Sequence, residues 1–61
     1  MKLTDTYIGL GGKTVYVYEG PAWSSSEARS LIPGDFTVIW EEFYQYENET
    51  PEYHVEVVYN R

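Results

Sequence analysis

The chain has 61 residues and a formal net charge of −6, from ten carboxylates against four Lys and Arg, and it contains no cysteine. This length makes a single domain, residues 1–61, which buries only about 60% of the surface that its unfolded chain exposes. The absence of cysteine excludes disulfides and thiolate metal sites, so the aromatic residues are expected to supply much of the buried area.

The first predicted element is a β-hairpin at Gly11-Gly12, because glycine accepts positive φ at both centres of a two-residue turn. In the register that pairs Leu10 with Lys13, one face is aliphatic and is expected to form the core: Ile8, Leu10, Val15 and Val17. The other face is rich in tyrosine and carries Tyr7, Tyr16 and Tyr18. A shift by one residue would exchange the two faces, since side chains alternate along a strand.

A short helix is predicted from residue 25 to residue 31. Ser24-Ser25-Ser26-Glu27 fits a capping box, in which a hydroxyl at the N-cap is followed three residues later by Glu. Pro33-Gly34 ends the helix. Its apolar residues fall at i, i+3 and i+4 and predict one buried stripe, made of Ala28, Leu31 and Ile32.

A second hairpin is predicted from residues 36–46 and 53–59, joined by the polar connection 47–52. With Tyr46 opposite Tyr53, the core row of the first strand contains Phe36, Val38, Trp40, Glu42 and Tyr44. The reverse face carries Ile39, Glu41, Phe43, His54 and Glu56. Glu42 is the one charged residue in the core row. Either a β-bulge near Glu41-Glu42 turns it outward or the strand runs past the edge of the core there, and we favour the bulge.

These elements predict an α+β fold: a small ββαββ domain in which two antiparallel β-hairpins are joined by one short helix packed on a single sheet. The element order resembles that of the immunoglobulin-binding domains of streptococcal protein G and of ubiquitin-like grasp folds, with a shorter helix here. This resemblance is one of topology and implies no function.

The negative charge is concentrated in the second half of the chain. Residues 35–56 contain no Lys or Arg and seven carboxylates: Asp35, Glu41, Glu42, Glu47, Glu49, Glu52 and Glu56. Such a segment repels phosphates and membranes and attracts basic surfaces. We therefore expect no direct nucleic acid and no membrane as partners, although the same charge could serve only to keep a small protein soluble.

Catalytic and metal-binding patterns are weak. His54 is the only histidine and is expected on the outer face beside Glu56, with no serine at a suggestive spacing. The loop carboxylates lack the twelve-residue pattern of a calcium site. The sequence therefore predicts no enzyme, no cofactor and no metal.

The favoured hypothesis is a small acidic protein-binding protein that inhibits a host enzyme by blocking its basic nucleic-acid-binding surface through charge mimicry. In size, charge and β content the chain resembles acidic viral inhibitors of uracil-DNA glycosylase, restriction enzymes and CRISPR nucleases. The expected partner-binding residues are Glu41, Glu42, Glu47, Glu49, Glu52, Glu56, Phe43, Tyr44 and Tyr46.

The alternative is a structural or assembly protein that forms a homodimer through the tyrosine-rich face, with Tyr7, Tyr16 and Tyr18. The N-terminus has no apolar signal region, and no apolar run approaches the roughly 20 residues of a membrane helix. We therefore expect a cytoplasmic protein, or one in the host cytoplasm if it is viral.

Overall fold

A computed structural model describes residues 1–60, and Arg61 lies outside the described residues. The strands are β1 (Lys2–Ile8), β2 (Thr14–Pro21), β3 (Phe36–Tyr44) and β4 (Glu52–Tyr59). A short 3-10 turn (Leu10–Gly12) lies between β1 and β2, and the helix α1 (Ser25–Ser30) lies between β2 and β3.

The four strands form one sheet in the order β1-β2-β4-β3, and every neighbouring pair is antiparallel. The central strands β2 and β4 pair with each other although α1 and β3 lie between them in the chain. Beside this pair, Ala22 N–H donates a hydrogen bond to the carbonyl of Pro51. A small α+β domain with a single antiparallel sheet and one short helix is therefore confirmed.

The first hairpin has the expected turn but not the expected register. Gly11 and Gly12 both have positive φ, as predicted. The turn is longer than two residues, however, because Gly9 N–H donates to the carbonyl of Lys13 at 2.8 Å. Tyr7 consequently pairs with Val15 rather than with Tyr16, and a further irregularity follows between Leu3 and Asp5.

The helix α1 begins as the capping box predicted. The side chain of Ser24 accepts a hydrogen bond from Glu27 N–H at 3.1 Å. Ala28 and Ile32 are buried against the sheet, as expected from their spacing. The prediction for Leu31 was wrong, because the last turn tightens at this C-cap residue and leaves its side chain 47% exposed.

The second hairpin contains the predicted bulge, but earlier in β3. The register of β3 against β4 shifts between Val38 and Trp40, so the extra residue is Ile39. Before the bulge, Val38 pairs with Val57; after it, Phe43 pairs with Tyr53. Trp40 and Tyr44, predicted in the core, are therefore turned to the other face and are exposed.

The main core lies between α1 and the sheet face that we call the helix face. Its buried members are Tyr18, Ala22, Ala28, Ile32, Tyr53, Val55 and Val57. Tyr59 closes one end of this core: its hydroxyl shares a 2.8 Å hydrogen bond with the hydroxyl of Tyr18 and donates to the carbonyl of Pro33. Burial, together with the Tyr18 hydroxyl, raises the pKa of Tyr59 to about 12.

Within residues 1–60, the structure contains no helix that is long and apolar enough to cross a membrane.

Candidate functional site

The sheet face opposite α1 is not covered by any other element of residues 1–60, and we call it the open face. Alternation along the paired strands assigns side chains to it in rows across the sheet. The rows run from an apolar end to an acidic end. They consist of Tyr7, Val15, Val58 and Thr37, with the bulge residue Ile39 beside them; then Asp5, Val17, Glu56 and Trp40; then Lys2, Glu19, His54 and Glu42; and finally Pro21, Glu52 and Tyr44.

His54 lies at the centre of a hydrogen-bonded chain on the open face. Its Nε2 is 2.7 Å from a carboxylate oxygen of Glu56, and its Nδ1 is 3.3 Å from one of Glu19. The hydroxyl of Tyr7 donates to Glu56, and that of Thr4 donates to Glu19. The chain therefore links the edge strand β1 to the two central strands.

These contacts shift three pKa values. The hydrogen bond with Glu56 raises the pKa of His54 despite its partial burial, and Glu19 adds to the effect. Hydrogen bonds from Tyr7 and His54 lower the pKa of Glu56. The hydrogen bond between Tyr7 and Glu56 also raises the pKa of the Tyr7 hydroxyl. The network therefore favours a charged imidazolium and a charged Glu56.

Six of the predicted partner-binding residues gather where β3 and β4 meet their connecting loop, a region that we call the acidic end: Glu42, Tyr44, Tyr46, Glu47, Glu49 and Glu52. Within residues 1–60, none of its four carboxylates forms an ion pair. Tyr44 and Tyr46 are each 51% exposed. The charge of Glu42 raises the pKa of Tyr44, whose hydroxyl donates to that carboxylate.

Glu41 and Phe43 do not belong to this cluster, which corrects their predicted place on the outer face. The bulge at Ile39 turns both toward the helix face. Glu41 accepts hydrogen bonds from Ser25 at 2.6 Å and from Arg29 at 2.9 Å, and these contacts lower its pKa. The ring of Phe43 stacks on Tyr53 with centroids 5.4 Å apart.

Glu56, the remaining carboxylate of the predicted set, lies on the open face, as predicted. Its charge is already engaged by His54 and Tyr7. It therefore borders the acidic end but is less available to an outside cation than the carboxylates there.

The tyrosines of the first hairpin do not share one surface, so the predicted tyrosine-rich outer face is wrong. Tyr18 is buried on the helix face, and Tyr16 packs against the same core with its ring 5.0 Å from that of Tyr59. Tyr7 lies on the open face, since the longer turn pairs it with Val15. The expected aliphatic core face is also divided, because Val15 and Val17 are buried while Ile8 and Leu10 are exposed.

Two residues of the open face were missed as site residues. Trp40 is 56% exposed between the His54 network and the outer edge of the sheet. Glu19 binds His54 from the neighbouring strand. Trp40 and Glu42 alternate to the same side of β3, so the charge of Glu42 in the predicted core face was the signal in the sequence that this side of the strand faces outward.

The chemistry available at this site is that of charge and aromatic contact. Among residues 1–60, no group of three or more acidic or histidine side chains is arranged to hold a metal ion. The hydrogen bonds of His54 go to two carboxylates, and neither contact involves a hydroxyl nucleophile. The open face therefore presents exposed carboxylates and aromatic rings, both of which attract positive charge.

Comparison with protein-family models, curated proteins and solved structures found no significant match for this chain.

Proposed function

We propose that this protein is a non-enzymatic binding protein whose acidic end contacts a basic surface of another protein. In its specific form, the proposal is an inhibitor that occupies the nucleic-acid-binding surface of an enzyme, in the cytoplasm of the cell or of a viral host. The scaffold is a ββαββ arrangement of two hairpins and one helix, which projects the acidic end from one end of the sheet.

The observation that carries this proposal is the set of unpaired carboxylates at the acidic end. Elsewhere on the sheet, Glu41 and Glu56 are held by Arg29 and His54. In contrast, Glu42, Glu47, Glu49 and Glu52 have no ion pair within residues 1–60. Like charges left together without a counter-charge cost folding free energy, so their arrangement is better explained by a partner than by stability.

Aromatic side chains beside these carboxylates support a protein partner. Trp40, Tyr44 and Tyr46 are all at least half exposed. Trp and Tyr are enriched among residues that dominate protein interfaces, and their rings also accept Arg and Lys through cation–π contacts. A basic protein surface that binds here would find carboxylates that attract its charge and aromatic rings that provide contact area.

Charge mimicry of nucleic acid explains the combination. Alternate residues on one face of a strand lie about 7 Å apart, so two adjacent strands and their loop present several negative charges over a short distance. A nucleic-acid-binding surface is adapted to a dense track of negative charge. Glu42 and Glu52 on the strands, with Glu47 and Glu49 on the loop, present such a track to it.

The test is capture of partners from a bacterial lysate on immobilised protein at low and high salt, followed by competition with duplex DNA for each purified partner. We expect an enzyme that binds nucleic acid, released by salt and displaced by DNA. Glu49→Lys should weaken binding about two- to fivefold, as expected for loss of one exposed charge contact.

Glu27→Lys is the matched control, because it changes the net charge equally on the exposed side of α1. Its binding should equal that of the wild type. Capture that does not depend on salt, or equal weakening by Glu49→Lys and Glu27→Lys, would refute the proposal.

A further inference from the structure

The apolar end of the open face contains a groove that the acidic end does not explain. It has a volume of about 790 Å³ and runs across the sheet from the first hairpin to β3. Its apolar lining comes from Tyr7, Ile8, Leu10, Val15, Ile39 and Val58. Three of these side chains are strongly exposed: Leu10 fully, Ile8 by 68% and Ile39 by 49%. Apolar side chains concentrated around one recess indicate a contact surface.

The charge around the groove decides what kind of partner fits. Among the described residues 1–60, Lys13 is the only charged residue in its lining, and none of the ten Asp and Glu side chains contributes to it. A basic protein would gain no electrostatic attraction here. A partner that is itself acidic would meet no carboxylate in the lining, and this chain is such a partner.

The length of the molecule makes contact between two copies electrostatically tolerable. The groove lies at the Thr14 end of β2, whereas the acidic end adjoins the Pro21 end, where Pro21 pairs with Glu52. Seven residues of extended strand separate these ends by about 23 Å. Since charges are screened over about 8 Å at physiological salt, this separation removes most of the repulsion between the acidic ends of two copies joined at their grooves. The repulsion that remains comes from Asp5 and Glu56, which lie one row from the groove.

The apolar side chains at the edge of the groove are suited to fill the groove of a second copy. Leu10 and Ile8 project beside the recess, so a two-fold axis can place these side chains of each copy in the recess of the other. We propose that the groove is a self-association surface, occupied by the first hairpin of a second copy of this chain. This site differs from the tyrosine-rich face expected from the sequence.

The available area sets the strength of the dimer. The molecule measures 40 × 17 × 15 Å, so its broad side projects about 680 Å² and the groove end about half of that, against about 800 Å² for each partner in a standard stable interface. The dimer is therefore weak and depends on concentration. Because apolar contact drives it and net charge opposes it, salt strengthens it.

Sedimentation equilibrium over a wide concentration range at about 0.15 M and about 0.5 M NaCl tests this proposal. The wild type should form a dimer whose affinity rises with salt. Leu10→Asp should weaken the dimer at least about tenfold, since it puts a charge into an apolar recess. Leu10 is fully exposed in the monomer, so this substitution leaves the fold intact.

Leu31→Asp is the matched control, because Leu31 is an exposed leucine at the end of α1, outside the groove lining. It should leave the dimer unchanged. A monomer at all concentrations and both salt levels would overturn the proposal, as would a dimer that Leu10→Asp leaves intact or that Leu31→Asp disrupts. The inference is independent of the proposed function, whose partner binding weakens with salt and should be unaffected by Leu10→Asp.

Discussion

His54 is the residue whose contacts depend most directly on its charge. An imidazolium donates from both ring nitrogens and can satisfy Glu19 and Glu56 together, as their positions require. A neutral imidazole donates from only one nitrogen and turns a lone pair toward the other carboxylate. Loss of the proton therefore weakens the connection between β2 and β4 and, through Tyr7, the attachment of β1.

This arrangement predicts a loss of stability at alkaline pH. The pKa of His54 is raised above its ordinary value of 6.5. Its contribution to the free energy of unfolding is therefore complete below about pH 6.5 and is lost as the pH rises through the raised pKa. Urea denaturation should show the stability advantage of the wild type over His54→Gln shrinking between about pH 6 and pH 9. An advantage of equal size at both pH values would show that the ion pairs contribute nothing.

The acid side has the opposite sign. The pKa values of Glu41 and Glu56 are lowered from 4.5, so the stability that they contribute is present above about pH 4.5 and is lost as the pH falls through the lowered values. The combined contribution of His54, Glu41 and Glu56 to the free energy of unfolding is therefore largest between about pH 4.5 and pH 6.5.

Among the elements, β3 determines what the open face presents. Its bulge at Ile39 separates a first half that contributes Phe36 and Val38 to the core from a second half whose alternation is reversed. Trp40, Glu42 and Tyr44 therefore point away from α1. The same reversal brings Glu41 under the helix, where Arg29 and Ser25 neutralise its charge and satisfy its oxygens.

The loop before β3 depends on one glycine. Gly34 has a φ of 92°, and a Cβ added there would lie 2.7 Å from Cε1 of Tyr59. Gly34→Ala should therefore destabilise the fold by about 2–4 kcal/mol, from the cost of positive φ and from displacement of a ring that closes the core. The measurement is urea denaturation of both proteins.

Gly11→Ala provides the control for backbone strain alone. Gly11 has a similar φ of 78°, but an added Cβ would have no atom within 4 Å. This variant should lose only about 1 kcal/mol. Equal losses in the two variants would mean that Tyr59 moves aside without cost.

The elements could be predicted from the sequence because their signals are local. The paired glycines of the first turn, the Ser24 cap and the β-prone runs each act within a few residues. The registers could not, since they depend on the conformations of two loops. In the first hairpin, a longer turn moved Tyr7 opposite Val15; in the second, the strand ended at Tyr44 instead of Tyr46.

For the candidate site, too, composition could be predicted from the sequence and strand register could not. The concentration of charge in the second half of the chain is a property of composition, and most of its carboxylates do gather at the acidic end. Which of them are engaged elsewhere is a property of register, so the contacts of Glu41 with Arg29 and of Glu56 with His54 were not predicted. The conflict between Glu42 and its predicted core row marked the place where the register was wrong.

Charge and apolar surface are separated along the length of the open face. The acidic end lies at one end of a molecule 40 Å long, and the groove with Leu10 and Ile39 lies toward the other. The two proposed contacts are predicted to respond to salt in opposite directions, because screening weakens attraction to a basic partner and reduces repulsion between two copies. One small domain thus has room for two separate contacts.

β3 turns Trp40 and its neighbours outward among carboxylates, and the proposed function depends on this orientation. Trp40 lies beside Glu42 and Glu56 on the open face, and Trp23, 69% exposed elsewhere, can be replaced by Phe so that only Trp40 is observed. The most direct measurement is fluorescence quenching of this Trp23→Phe variant by caesium, a cation, and by iodide, an anion.

Relative to free tryptophan amide, Trp40 should be quenched more strongly by caesium than by iodide, and the difference should diminish as NaCl is raised to about 0.5 M. Blue-shifted emission protected from both ions would place Trp40 in the core and contradict the structure of β3. Quenching by iodide as strong as that by caesium would contradict the negative field on which the proposed function depends.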